Sequence, residues 1–397
     1  MRSRLAITSF GIGVLALAFF LAGIGRPPWP YFDEPLYVNG ARSLLYGTQD
    51  ANPEHPPLAK FFIAAAMKLA GDNPLGWRLA STVFGALTLV AIFLWTYLLL
   101  RDYEIALITA GLTLVNNFLF VMSRIAMLDV FYFTFVMWGI VAFSAALLLQ
   151  LSLERRRLLI AASGLLFGLG TACKWNAVVS LAVVAFVAAI FYIRNTHEMR
   201  EVGAPALALG LVAAPVLAYG LAFWPLCYRF HVPFTLPELA HLNAYIWSYH
   251  VQVPGSAALN VPWYRWFFRI SPERGMSYLV GNFVIAWVGL AALAICIGRF
   301  FRSFDLAAGL VTFFYAVNLL QWVIIPQKSL VYYYYYPPMM FLGIAIAIVL
   351  AKAPTPRLFG IRVSLLILIA ATMFFLYCYP RMMSLEAPYD CMFGCWS

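Results

Sequence analysis

An all-α polytopic membrane protein is the fold class this sequence predicts. Three observations predict it: an apolar excess, about eleven segments long enough to span a bilayer, and basic residues that alternate between the connecting loops. Of 397 residues, 64% are hydrophobic and 11% charged, against roughly 45–50% and 25% in soluble domains. A spanning helix takes about 20 mostly apolar residues, because the hydrocarbon layer is about 30 Å thick and offers no water to unpaired backbone groups.

The segments run Leu5–Gly23, Leu75–Leu100, Ile105–Val121, Met127–Leu149, Leu158–Ala172, Asn176–Ile193, Ala204–Phe223, Tyr278–Ile297, Leu306–Ile325, Tyr332–Leu350 and Val363–Tyr379. The first follows Arg2 and Arg4 and is long enough to span, so it reads as an uncleaved anchor. Leu58–Ala70 is shorter and carries Lys60 and Lys68, which suits a helix lying in the interface.

With the N-terminus inside, the inner loops hold Arg101, Arg155-Arg156-Arg157, Arg194, Arg200, Arg299, Arg302, Lys352, Arg357 and Arg362, as short cytoplasmic loops should. Two long loops, 26–74 and 224–277, then lie outside, with the tail from Arg381. No stretch is long enough for a separate soluble domain, so residues 1–397 read as one membrane-embedded domain. The net charge is +10, yet nucleic acid is excluded as a partner, since no soluble basic domain exists to hold it. Many of the basic residues fall on the outer side, among them Lys60, Arg78, Arg124, Lys174, Arg229 and Lys328. An outward site for an anion explains this placement.

Asp33-Glu34 is the most informative pair. It follows the first span closely, sits among Trp29, Pro30, Tyr31, Phe32 and Tyr37, and opens a helix expected over Pro35–Tyr46, closed by Gly47. The helix dipole favours negative charge there. Three cations lie at matched outer depth: Lys60 after a His55-Pro56-Pro57 turn, Arg124 and Lys174 at helix ends. Together they could hold a phosphate, arginine as a fork and lysine as a point charge. Asp129 lies slightly inside a span, where an acid needs a partner, so it is expected to neutralise Arg124 or Lys174 or to cap a neighbouring helix. In Tyr332-Tyr333-Tyr334-Tyr335-Tyr336 some phenols must join an interfacial belt. On a helix the five diverge, so one or two, Tyr333 and Tyr334 foremost, could reach the site. Aromatics of the second loop, Trp247 and Trp263 among them, suit headgroup depth.

No cofactor follows from these residues. The histidines lack metal-binding spacing, and a divalent cation on carboxylate oxygens stays open. Cys173, Cys227, Cys296 and Cys378 read as buried apolar residues. Cys391 and Cys395 are close enough in an outer tail to form a disulfide.

Taken in order, Asp33-Glu34, His55-Pro56-Pro57-Leu58-Ala59-Lys60, Ser123-Arg124 with Leu128-Asp129, and Cys173-Lys174-Trp175-Asn176 resemble the motifs of protein O-mannosyltransferases. Trp247-Ser248-Tyr249-His250, Gly281-Asn282-Phe283 and the tyrosine run ending in Pro337-Pro338 continue the resemblance over nearly the whole chain. It implies the C-type glycosyltransferase fold, a polyprenyl-phosphate-sugar donor and an inverting single displacement, with mannose as the sugar. It implies Asp33 as base, Glu34 as helper, and Arg124, Lys174 and Lys60 as ligands of the donor phosphate. His55, Trp175 and His250 fall within the motifs as supporting or substrate-binding residues. Ala59 stands where the family usually has glycine. The second outer loop is too short for the β-rich domain of eukaryotic members, so the acceptor stays open between protein serine or threonine, lipid and glycan.

A reading of another class is a transporter or flippase of lipid-linked sugars. Transporters carry their polar residues near the midplane, whereas here they gather at outer span ends. The expected setting is a bacterial inner membrane with the site facing the periplasm, surrounded by membrane lipids. The oligomeric state is not legible.

Overall fold

Helix starts in this chain are set by short polar side chains. Asn73 Oδ1 accepts from the amides of Leu75 at 3.0 Å and Gly76 at 3.2 Å, and Pro74 has no amide proton to leave unpaired. Asp102, Asn116 and Asn282 cap the helices that follow them in the same way. The computed structural model describes residues 2–252, 261–268, 279–324, 330–352, 357–358 and 361–383.

In chain order the helices are α1 (Arg2–Leu21), α2 (Glu34–Tyr46), α3 (Leu58–Ala70), α4 (Pro74–Leu100), α5 (Tyr103–Leu114), α6 (Asn117–Met122), α7 (Leu128–Leu148), α8 (Leu153–Cys173) and α9 (Ala177–Ile193). There follow α10 (His197–Val202), α11 (Ala204–Ala208), α12 (Ala214–Leu221), α13 (Trp224–Arg229), α14 (Leu236–Gln252), α15 (Phe283–Ser303), α16 (Leu306–Ile324), α17 (Tyr336–Lys352) and α18 (Val363–Met382). A two-residue ladder pairs Arg357 with Arg362 and Leu358 with Ile361. Among the described residues, nine helical segments are long and apolar enough to cross a membrane. They make this an integral membrane protein.

The expected count of eleven is not established. The two segments that fall short are α5, with 12 residues, and α9, with 17. At 1.5 Å per residue these reach about 18 and 26 Å. The expected span Ile105–Val121 breaks because Asn116 caps a new helix, accepting from the Phe118 amide at 3.0 Å. Ala204–Phe223 is one span in outline, but a π-turn over Leu209–Ala213 interrupts it just before Pro215. Proline has no amide to continue the ladder.

Helix α8 packs on the π-turn through Gly164 and on α12 through Gly168, four residues apart on one face. A Cβ at Gly164 would overlap the Gly210 carbonyl, and one at Gly168 the Pro215 carbonyl. Close approach through small residues is how helices associate inside lipid. Gly164→Val is therefore expected to lower stability by about 1–3 kcal/mol, seen as a lower unfolding midpoint in detergent. An unchanged midpoint would mean that the backbone contact is dispensable.

Contacts sort the loops into two ends. At one end Arg101 reaches the Leu148 carbonyl at 3.2 Å, Arg157 the Val202 carbonyl at 3.1 Å, and Arg299 and Lys352 both pair with Asp305. Arg362 pairs with Glu104 there. At the other end the two long loops meet: Arg229 donates to the carbonyls of Leu44 at 2.7 Å and Gly47 at 2.9 Å, and His250 to that of Glu54 at 3.0 Å. The site candidates lie at this second end.

Candidate active site

Helix α2 starts where the acidic pair predicts, but the two acids have different surroundings. Asp33 precedes the first turn without capping it. Its half-buried carboxylate turns instead to Tyr333, whose hydroxyl donates to Oδ2. Oδ1 accepts no hydrogen bond among the described residues. Phe32, the residue before the pair, is held at φ 54°.

Glu34 is fully buried and saturated. Arg78 donates to Oε1 from Nε and to Oε2 from Nη2, both at 2.8 Å, and the Ala126 amide adds a bond at 2.9 Å. The remaining Arg78 protons go to the carbonyls of Ile24, Pro27 and Trp29 at 2.8–3.1 Å. One guanidinium on α4 thus fixes the whole path from α1 to α2, and with it the position of Asp33. Sequence reading counted Arg78 only among the outer cations; its depth one turn into a span was the available signal.

Two of the three expected phosphate cations are committed elsewhere. Arg124 closes the C-terminal end of α1, donating to the carbonyls of Phe20 at 2.5 Å, Ala22 at 2.6 Å and Gly23 at 2.8 Å. Those carbonyls have no intrahelical partner, and a cation suits the negative end of the dipole. Lys60 is fully buried and points into the first loop, onto Asp50 at 2.9 Å and the Asn52 carbonyl. Burial pushes its ammonium below the ordinary lysine value, and Asp50 pulls it back. Helix α3 therefore turns Lys60 inward and leaves Lys68 exposed, where the sequence suggested two cations at the surface.

Lys174 is different. It follows α8 and binds both oxygens of Asp129 at 2.9 and 3.0 Å, the pairing that the depth of this acid demanded. Its Nζ lies 4.9 Å from the Tyr334 ring centroid and 5.6 Å from that of Tyr333. Tyr334 stacks on Trp322, centroids 3.9 Å apart and planes 2° from parallel. The tyrosines do not form the expected belt: Tyr332, Tyr333, Tyr335 and Tyr336 are buried. A 3₁₀ turn over Tyr332–Tyr335 precedes α17 and directs successive rings apart.

Lys174 also walls a cavity of about 180 Å³ together with Trp175, Trp322, Tyr334, His55 and His250. Trp175 donates to the Tyr219 hydroxyl at 2.9 Å, and the rings of His55 and His250 lie 5.0 Å apart, tilted by 57°. Asn176 and Gln321, joined at 2.7 Å, complete the polar lining, a pair that sequence reading missed. The field of Asp33 reaches this region: the Tyr37 phenol is pushed well above its ordinary value by burial first and by Asp33 next. Among the described residues no group of three or more His, Cys, Asp or Glu could hold a metal ion. Cys173, Cys227, Cys296 and Cys378 are buried. Lys328 and the Cys391–Cys395 pair lie outside the described residues.

Residues 54–219 match the family described as dolichyl-phosphate-mannose-protein mannosyltransferase. A polyprenol-phosphate-mannose–protein mannosyltransferase of Corynebacterium glutamicum is 33% identical over 148 residues, 33% of this chain and 28% of the relative. One from Mycobacterium tuberculosis is 23% identical over 81% of this chain and 75% of its own length. The chain spans half or less of the first relatives' lengths. In three dimensions it resembles the S. cerevisiae Pmt1-Pmt2 complex bound to the sugar donor (TM-score 0.83, 12% identity, 97% of this chain and 91% of that one). It also resembles ArnT from Cupriavidus metallidurans bound to undecaprenyl phosphate (TM-score 0.63, 15% identity, 87% and 60%). Residues 54–219 are thus similar in sequence to the protein O-mannosyltransferases, and the fold is that of the C-type membrane glycosyltransferases.

Proposed function

We propose that this protein transfers a sugar, mannose by its relatives' names, from a polyprenyl-phosphate donor to a protein serine or threonine hydroxyl with inversion. The observation that carries the reading is the Asp33 carboxylate, one oxygen held by Tyr333 and the other open, with the ring of that tyrosine 5.6 Å from the Lys174 ammonium that lines the cavity. Asp33 Oδ1 takes the acceptor proton as the hydroxyl oxygen attacks the anomeric carbon. The bond from that carbon to the phosphate oxygen breaks, and its electron pair stays on the phosphate. An ammonium has three protons, and Asp129 engages Lys174 with two oxygens, so one proton is left for the leaving group. Glu34 acts by holding Asp33 in place, while Arg124 and Lys60 shape the surrounding loops. The isoprenoid leaves the cavity past Val178, Trp247 and Val251, exposed apolar residues of α9 and α14 that line it. The chain works as one membrane domain in a bacterial inner membrane, with the site on the periplasmic side.

Lys174→Gln is expected to weaken binding of polyprenyl phosphate about tenfold or more, the loss typical of a hydrogen bond to a charged group. Titration of the purified variant reads this directly, and unchanged affinity would remove Lys174 from the donor site. The reading as a whole is tested by incubating the protein with radiolabelled polyprenyl-phosphate-mannose and an acceptor protein. Label in the protein fraction supports it. Label in lipid moves the acceptor, and label in neither fraction, with the donor intact, rejects the transfer.

A further inference from the structure

No proton of that chemistry passes through the Tyr333 hydroxyl, although it is the sole hydrogen-bond partner of the Asp33 carboxylate among the described residues. Tyr333 is 3% exposed, and 300 positions of chain separate it from the acid it touches. Phe32 meets its ring edge-on at 6.2 Å, and the Tyr334 ring lies nearly perpendicular at 4.8 Å. Lys174 sits over both rings. In a 3₁₀ turn successive side chains diverge by about 120°. Tyr333 thus reaches the acid while Tyr334 stays on the Trp322 stack.

We propose that Tyr333 is a positioning residue for the transfer, its hydroxyl fixing the Asp33 carboxylate while its ring keeps the acid in register with Lys174. The proposal rests on the reading of Asp33 as the base. A phenol bound to a carboxylate makes a charge-assisted hydrogen bond, stronger than a neutral one. With Oδ2 occupied, the carboxylate cannot rotate freely and Oδ1 is the one atom presented to an acceptor. The ring spaces that atom from the cation, so that proton uptake and phosphate departure occur on opposite sides of the sugar, as inversion requires. No proton leaves Tyr333 in this scheme; the acceptor proton goes to Oδ1 alone.

Tyr333→Phe removes the hydroxyl and keeps the ring beneath Lys174. Its kcat is expected to fall about tenfold or more, as when a hydrogen bond to a charged group is lost. Polyprenyl-phosphate affinity should stay within about twofold of the native value, because the donor contacts remain. Tyr315→Phe breaks another buried hydroxyl pair, with Tyr335 at 3.1 Å, and should leave kcat unchanged. A native kcat in Tyr333→Phe, or kcat and donor affinity falling together, overturns the proposal. If the native protein transfers no sugar, it is the functional reading that has failed. Asp33 is then labelled with a water-soluble carbodiimide in native and Tyr333→Phe protein, and modification is read by peptide mass spectrometry. Release of the carboxylate predicts several-fold faster labelling in the variant, and equal labelling overturns the positioning role.

Discussion

Asp33→Asn is expected to slow sugar transfer roughly 10²–10⁴-fold, the usual contribution of a positioned general base, while polyprenyl-phosphate affinity is retained. Asparagine has the shape of aspartate and still accepts the Tyr333 hydroxyl, so the local structure survives and only proton acceptance is lost. Glu34 cannot take over. Its oxygens are filled by Arg78 and the Ala126 amide, and nothing remains to face an acceptor. Single-turnover transfer from a preloaded donor separates chemistry from binding. A native rate in the variant would remove Asp33 from the reaction.

The second large effect is on stability. Arg78→Ala leaves a buried carboxylate without its counter-charge and three backbone carbonyls without a donor, so a loss of about 3–5 kcal/mol is expected. Glu34→Gln, which removes the charge but keeps an acceptor oxygen, should lose less, roughly 1–3 kcal/mol. Replacing both at once, as Arg78→Met with Glu34→Leu, should recover part of the loss, since no unpaired charge stays buried. Thermal unfolding in detergent measures all three. A loss below about 1 kcal/mol in Arg78→Ala would place it with exposed ion pairs, whose contribution is that small, and would mean that the guanidinium does not carry the first loop.

Much of the helical plan was legible because hydrophobic runs of spanning length have few other uses. Even the short helix Leu58–Ala70 matched its expected bounds. The break at Asn116 and the π-turn before Pro215 were less so. Each depends on one polar or imino residue inside a run that hydropathy alone treats as continuous. At the site, the chemistry of the residues could be read but their pairing could not. Asp129 required a cation, and two were on offer; only the end-to-end geometry of α7 and α8 chooses Lys174. Arg124 and Lys60 looked equivalent to Lys174 by depth. Arg124 faces the carbonyls at the end of α1, and Lys60 faces Asp50 across the first loop. Both partners lie outside the motifs that drew attention to the cations. Arg78 was hidden for the same reason: its partners are Glu34 and main-chain carbonyls, which leave no pattern in sequence.

The most direct measurement is a structure of the protein with a polyprenyl-phosphate sugar bound. The proposed site predicts a phosphate oxygen within about 3 Å of Lys174 Nζ, hydrogen-bond distance for a charged donor, with the anomeric carbon turned toward Asp33 Oδ1. A phosphate seated on Arg124 or Lys60, with Lys174 still closed on Asp129 and remote from the donor, would contradict it.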